Sequence, residues 1–520
     1  MQRFFNIAGP CHPDQHYMLS AQERCQGILG LVARAQYFVI HAARQTGKTT
    51  LLLELAQEIN AGGAYYALYC TLESLQRITE PERGIPAIVD QIRQRLRFHP
   101  ALHRYPFAEN AVLSRFTTVL QEELTVFCQQ LDKPLVILFD EIDCLSNGTL
   151  ITFLRQLRAG YVTRTLAPFP HSVALVGMRN IRDYKAHIRD DQETLGSASP
   201  FNIVTETLTL RNFTQPEVAR LYTQHTEQTG QVFPPEVVEA VFAATQGQPW
   251  LVNAIAREIV DKQLAGDYTR PILPEYVEQA VQTLILNRPT HIDSLMERLK
   301  EPRVQRIVEP VIMGSITHYD ALEDDYRYVL DLGLLREMDK VLYPANPIYG
   351  EIILRTLTWQ AQRDMEKNAY PPIAPAYLVD GKLDMCRLLS DFQTFWRQNS
   401  EIWRERFDYK EAAPHLVLQA FLQRVLNGGG RISRELAEGT GRLDLCVHYG
   451  GADYPIELKL RRDAQTYAEG VTQLAAYMER LGCAEGWLIV FDPRKSIAWS
   501  RKLFWRTQTV DTKTVHIVGC

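Results

Sequence analysis

The sequence predicts an α/β protein with two sheet-bearing parts, and three stretches predict it. "YFVIHAARQTGKTTLLLELAQEI" passes from an apolar segment at 37–41 through a turn into an amphipathic segment starting at Lys48, a strand–loop–helix pattern. "LVILFDE" at 135–141 is an uninterrupted apolar run ending in two acids, as expected of a strand in a parallel sheet covered on both faces. "GRLDLCVHYGGADYPIELKL" at 441–460 alternates with period two on either side of Gly450-Gly451 and reads as a hairpin.

The first stretch meets the phosphate-loop pattern GxxxxGK[ST] at Gly47, Lys48 and Thr49, with Ala42 in place of the first glycine. Alanine lacks glycine's freedom, so Ala42 has to take a negative φ or carry strain. Such a loop works because successive backbone N–H groups and a helix N-terminus surround phosphate oxygens. Ala42, Arg44, Gln45, Thr46, Gly47, Lys48, Thr49 and Thr50 are therefore the candidate nucleotide-binding residues. Lys48 neutralises the outer phosphates and the Thr49 hydroxyl ligates Mg²⁺. Asp140 leaves the acidic strand at its carboxyl end, where open α/β sheets bind ligands, and can hold Mg²⁺ through water; Glu141 is then placed to polarise the attacking water. The two motifs together imply ATP binding.

Further strands are expected within "AYYALYCTLE" at 64–73, "HSVALVGMRN" at 171–180 and "FNIVTETLTL" at 201–210. The succession resembles the AAA+ and STAND branch of P-loop ATPases, whose sheet is of the ASCE type. That resemblance implies a polar sensor at Asn180, a lid in which Gly247 and Pro249 of "GQPW" open a helix, and Pro249 packed on the nucleotide. Arg155, Arg158 and Arg164 fit the solvated face of a helix better than an arginine finger.

"VQRIVEPVIMGSITHYDALEDDYRYVLDLGLLREMDKVLYPANPIYG" alternates short helices with a hairpin expected through Asp339-Lys340 and looks like a winged-helix module. Asp324, Asp325 and Asp331 outnumber nearby basic residues, which favours a transmitter between domains over a DNA reader. "AYPPIAPAYLVDG" at 369–381 is the clearest linker.

Beyond it, Asp444 near the start of one strand and Glu457 on the next face each other if the hairpin forms, with Lys459 on the same face as Glu457. Converging carboxylates repel unless a divalent cation lies between them, and a neighbouring lysine stabilises developing negative charge, which is phosphodiester-hydrolysing chemistry. Here the sequence resembles the PD-(D/E)xK nuclease superfamily. Glu411, Asp444, Glu457 and Lys459 match its catalytic positions in order, and Gln473 and Tyr477 match the QxxxY motif of RecB-like members. The resemblance implies a restriction-endonuclease-like α/β fold using Mg²⁺ or Mn²⁺, with Asp444 and Glu457 as ligands. Leu443 stands where the family's proline would be.

The expected organisation is a P-loop ATPase core at 1–210, a helical lid at 211–290, a winged-helix-like connector at 291–368, a linker at 369–381 and a nuclease-like domain at 382–520. In a chain of 520 residues, 56 basic and 61 acidic residues give a net charge of −5, so any nucleic-acid contact is local. Nine cysteines without a CxxC pair argue against a disulfide framework, and no 18-residue apolar run suggests a membrane span. Cytoplasmic localisation, no membrane partner, and nucleic acid as partner with DNA favoured over RNA are the expectations; homo-oligomerisation is left open. "WSRKLFWRTQ" at 499–508 suits either a nucleic-acid backbone or a terminal strand pair. The functional expectation is an ATPase controlling a metal-dependent nuclease, with prokaryotic defence or mobile-element biology as the setting the resemblance implies. The alternative is an ATP-dependent switch whose nuclease-like domain binds nucleic acid without cutting.

Overall fold

The computed structural model describes residues 2–76, 78–107, 115–178, 203–287, 289–312, 324–353, 355–357, 377–379, 382–406, 413–426, 431–435, 444–461, 465–492, 494 and 497–520. The chain divides into two compact units: Met1–Asp293 with Asp320–Arg336 and Ala345–Ile348, and Ser294–Tyr319 with Glu337–Pro344 and Tyr349–Cys520. The stretch expected as one connector, 291–368, is thus divided between the two units.

The first unit is built on five parallel strands: β1 (Tyr37–His41), β2 (Tyr66–Thr71), β3 (Leu135–Asp140), β4 (Ser172–Gly177) and β5 (Val204–Thr209), in the order β2-β3-β4-β1-β5. β4 lies between the phosphate-loop strand and the acidic strand. β3 and β4 are buried at every position, because alternate residues feed two separate cores. Ile137 and Phe139 pack toward helices Pro81–Phe98, Val119–Gln130 and Asn147–Thr163, while Val136 and Leu138 pack toward helix Lys48–Ala61. The parallel registers bring the carboxyl ends of β1, β3 and β4 to one edge.

Helices Gln215–Thr229, Pro235–Thr245, Pro249–Arg257 and Pro274–Asn287 follow. Pro249 occupies the first turn of its helix, where its missing N–H costs nothing. Gly247 is needed just before it: its φ is +70°, and a Cβ there would lie 1.9 Å from the Phe213 carbonyl oxygen. Helix Asp324–Asp331 precedes the hairpin of β6 (Leu335–Met338) and β7 (Val341–Pro344), whose turn residues Asp339 and Lys340 have φ of +51° and +63°.

The second unit contains the short pair β8 (Leu378–Val379) and β9 (Lys382–Leu383), then a six-stranded sheet of β10 (Arg431–Glu435), β11 (Asp444–Tyr449), β12 (Ala452–Leu460), β13 (Glu485–Phe491), β14 (Phe504–Val510) and β15 (Lys513–Gly519). The order β10-β11-β12-β13-β15-β14 is mixed: β12, β13 and β15 run parallel and the other pairings are antiparallel. One face buries Leu445, Val447, Ile456 and Leu458 against Phe392, Trp396 and Phe421 of helices Met385–Arg406 and Ala413–Leu426. The other face receives helix Thr466–Leu481 through Val471, Leu474 and Met478. Gly470 lets this helix approach closely, since a Cβ there would lie 2.7 Å from Leu488 Cδ1.

Candidate functional site

The loop between β1 and helix Lys48–Ala61 turns at Gln45 (φ +57°) and Gly47 (φ +96°). The substitution of alanine at position 42 is therefore accommodated: the left-handed positions lie elsewhere in the loop. Lys48 is buried and its Nζ donates to the carbonyls of Ala42 at 2.9 Å and Ala43 at 3.0 Å. Burial pushes its ammonium below the usual lysine range, opposed by the carboxylates of Glu141, Asp143 and Asp140.

Asp140, at the end of β3, is 1% exposed. Its Oδ2 accepts from Thr49 Oγ1 at 2.8 Å and from the Tyr69 hydroxyl at 3.1 Å, and its Oδ1 accepts from the Glu141 amide at 3.0 Å. The Thr49–Asp140 oxygen spacing fits magnesium, because adjacent oxygens of an octahedron with bonds of about 2.0–2.1 Å lie about 3 Å apart. Glu141 takes a left-handed backbone, φ +57°, and burial raises its carboxyl pKa, with Lys48 pulling the other way. A raised carboxyl facing the same cavity as Lys48 suits proton acceptance from water.

The cavity measures about 650 Å³ and is lined by Arg44 to Thr50, Asp140, Glu141 and, from helix Pro249–Arg257, Pro249, Trp250 and Asn253. This is within the range of small-ligand sites. Of the sequence-predicted nucleotide residues, Ala42 is buried behind the lining and the rest of the loop borders the cavity with Pro249. Asn180 lies outside the described residues.

Several contributors carried no sequence signal. Arg24 is buried behind the loop, donating from Nη1 to the carbonyls of Thr46 and Arg211, both at 2.9 Å, with its guanidinium 4.7 Å from the Phe213 ring. Burial lowers its pKa to about 10, so it remains cationic near neutrality. Tyr69 was visible only as a strand residue. The N-terminal segment closes one side: the Cys11 amide donates to Thr50 Oγ1 at 3.1 Å and Trp250 Nε1 to the Ile7 carbonyl at 2.8 Å. Asp143, third acid of "DEID", accepts a hydrogen bond from the Met178 amide after β4; its spacing from Asp140 was the one available hint. Arg164, rather than reaching outward, donates to the Ala35 carbonyl at 2.8 Å.

In the second unit, Glu457 and Lys459 share one face of β12, each side chain 1% exposed, with Lys459 Nζ 2.6 Å from Glu457 Oε1. Lys459 Nζ also donates to Gln473 Oε1 on helix Thr466–Leu481, and Tyr477 lies one turn further on, buried. β11 pairs Leu445 with Ile456, so extending the register by one residue sets the backbone of Asp444 opposite Glu457. The side chain of Asp444 and all of Glu411 lie outside the described residues. Lys459 already balances the charge of the buried Glu457, so a divalent cation held there would need further carboxylate charge, such as that of Asp444.

Beyond the end of β12, Arg461 pairs with Asp492 at 3.5 Å and lies over the Tyr467 ring. Arg462 and Asp463 lie outside the described residues. In "WSRKLFWRTQ", Lys502 is buried and donates to the Asp492 carbonyl at 3.0 Å, and Phe504–Val510 pairs with β15, so the strand-pair reading describes this segment.

A family described as an AAA-like domain matches residues 22–351, and a domain of unknown function (DUF8371) matches residues 390–495. No curated protein matches the chain. Solved structures similar to it include the Walker-type ATPase PABY2304 of Pyrococcus abyssi, at 12% identity and a TM-score of 0.47, covering 67% of this chain and 99% of that one. Cdc6p from Pyrobaculum aerophilum is similar at 14% identity, TM-score 0.34, covering 62% and 88%. The RuvB Holliday junction branch migration motor of Thermotoga maritima follows at 12% identity, TM-score 0.32, covering 61% and 87%. Among the described residues, no helix is long and apolar enough to cross a membrane.

Proposed function

From the premise that this chain belongs to the AAA-like domain family and carries its P-loop ATPase domain, we propose that it hydrolyses ATP and that its second unit is a metal-dependent nuclease under nucleotide control. The observation that carries the ATPase half is the meeting of Lys48, Thr49, Asp140 and Glu141 at one edge of the sheet. Helix Lys48–Ala61 offers its N-terminus to the phosphates, and Lys48 leaves the loop carbonyls to hold the outer ones. Thr49 and Asp140 would hold Mg²⁺, which when bound neutralises phosphate charge. Glu141 accepts the proton of the attacking water. Pro249 and Trp250 close over the nucleotide from the lid, so its presence is felt through Gly247 at Phe213.

The nuclease half rests on the buried Glu457–Lys459–Gln473 cluster and its fit to the sequence pattern completed by Asp444 and Glu411. Asp444 and Glu457 would hold Mg²⁺ or Mn²⁺, and the ion would draw charge from the scissile phosphate. Lys459, oriented by Gln473, stabilises negative charge as the bond breaks. DNA is the proposed substrate ahead of RNA. The near-complete burial of Glu457 and Lys459 favours one rival, a domain that grips nucleic acid without cutting it.

The test is to incubate the purified full chain with labelled DNA or RNA, Mg²⁺ or Mn²⁺, with and without ATP, while following phosphate release. Hydrolysis of ATP lost in Lys48→Ala and cleavage lost in Lys459→Ala support the proposal. Cleavage indifferent to Lys459→Ala and Glu457→Ala would sink the nuclease assignment, and binding without cleavage would favour the rival.

A further inference from the structure

The β11–β12 hairpin carries a second group of donors further along the same face. On β11 the alternation that sends Leu445 and Val447 into the helix-covered core turns Cys446 and His448 to the opposite side. His448 pairs across the hairpin with Asp453. One donor atom from each of Cys446, His448 and Asp453 lies within 4.8 Å of the other two, the one such group among the described residues. His448 Nδ1 and Asp453 Oδ1 are 2.5 Å apart.

Three chemistries compete for this arrangement. An ion pair accounts for His448 and Asp453 alone, with the buried Cys446 thiol packed beside them as a small apolar group. A Cys-His-Asp nucleophile set needs a sulfur that substrate can reach, and Cys446 is fully buried. A thiolate, an imidazole and a carboxylate together are the donor set of a borderline metal ion: bonds of about 2.3, 2.0 and 2.1 Å in a tetrahedron put the donors about 3.5 Å apart, so His448 Nδ1 and Asp453 Oδ1 have to separate by about 1 Å to admit the ion, while all three donors start within 4.8 Å of one another.

We propose that Cys446, His448 and Asp453 bind one Zn²⁺ ion, or a transition metal of the same ligand preference, and that the ion clasps the hairpin. The side chains of His448 and Asp453 are 25% and 39% exposed, so the ion enters from their side and its fourth position faces water. The Cys446 thiol proton leaves to solvent on binding. The clasp bridges β11 to β12 near the turn and holds the register that sets Asp444 opposite Glu457. It does not depend on whether the second unit cleaves nucleic acid.

The test uses the full chain, reduced, stripped with chelator and titrated with Co²⁺, then Zn²⁺. The expected result is one equivalent of Co²⁺ per chain giving a thiolate-to-cobalt absorption band that Zn²⁺ abolishes. The band disappears in Cys446→Ser, and His448→Gln and Asp453→Asn, on the more exposed side, weaken binding by about 10-fold or more. Circular dichroism establishes that each variant is folded, and Glu457→Gln keeps the band, separating this ion from any held near Asp444. Absence of the band in the wild-type chain, its persistence in Cys446→Ser, or its loss in a folded Glu457→Gln variant would overturn the proposal.

Discussion

Thr49 Oγ1 donates to Asp140 Oδ2 at 2.8 Å, joining residues 91 positions apart. The contact exists because β1 and β3 end at the same edge of a parallel sheet. Asp140→Asn keeps the shape and removes the charge. It is expected to lower the rate of ATP hydrolysis by about 10²–10³-fold. Phosphate release at saturating ATP measures this, and an unchanged rate would remove Asp140 from the catalytic site.

Burial raises the Glu141 carboxyl pKa, and the group accepts a proton only when ionised. The acid limb of the ATPase rate should therefore lie above the ordinary carboxylate range. Glu141→Gln should abolish turnover while ATP binding survives. A rate profile between about pH 5 and 8, paired with a fluorescent nucleotide titration, checks both.

Gly247→Ala places a methyl group against the Phe213 carbonyl at a residue with φ of +70°. The junction between Phe213 and helix Pro249–Arg257 has to shift, at an expected cost of at least about 2 kcal/mol. Denaturant unfolding measures it, and a neutral result would mean that the junction is more pliable than its contacts indicate.

Glu217 accepts from both Arg211 Nη atoms, at 2.7 and 2.8 Å, and from the Thr214 amide. These bonds, Arg211 foremost, lower its pKa to about 2. A folded-state pKa below the unfolded one contributes stability above the unfolded value of about 4.3, and loses it as pH falls toward 2. Glu217→Gln should cost about 1–3 kcal/mol at neutral pH, with the difference from wild type shrinking below about pH 4 in denaturant melts.

Lys459 and Glu457 are too buried for either charge to stand alone. Lys459→Met is expected to destabilise the second unit by about 3–5 kcal/mol, and the double variant with Glu457→Gln by less than the sum of the two single changes. A double-mutant cycle in thermal unfolding tests this, apart from any loss of nuclease activity.

Local chemistry was legible in the residues. Tyr37–His41, Leu135–Asp140, the turn at Gly450-Gly451 and the helix carrying Gln473 and Tyr477 follow from periodicity and turn residues a few positions apart. Arg24, Tyr69 and the Ile7–Cys11 segment reach the nucleotide cavity from elements whose sequences have no phosphate-binding pattern. Nothing local distinguishes Arg24 from a surface arginine; its burial follows from the carbonyls of Thr46 and Arg211 converging on it. Arg461 is likewise illegible locally, because its partner Asp492 lies on the far side of a helix and a strand in sequence.

By itself the sequence determined the phosphate loop, the acidic strand and the Glu457–Lys459 spacing, because each depends on neighbours within one strand or one loop. Only the tertiary structure decided that β4 lies between β1 and β3, that Arg24 and Tyr69 reach the cavity beside the phosphate loop, and that Cys446 and His448 meet Asp453. Those relations depend on strand order and hairpin register, which are selected by burying apolar faces across the whole sheet rather than by any single stretch of residues.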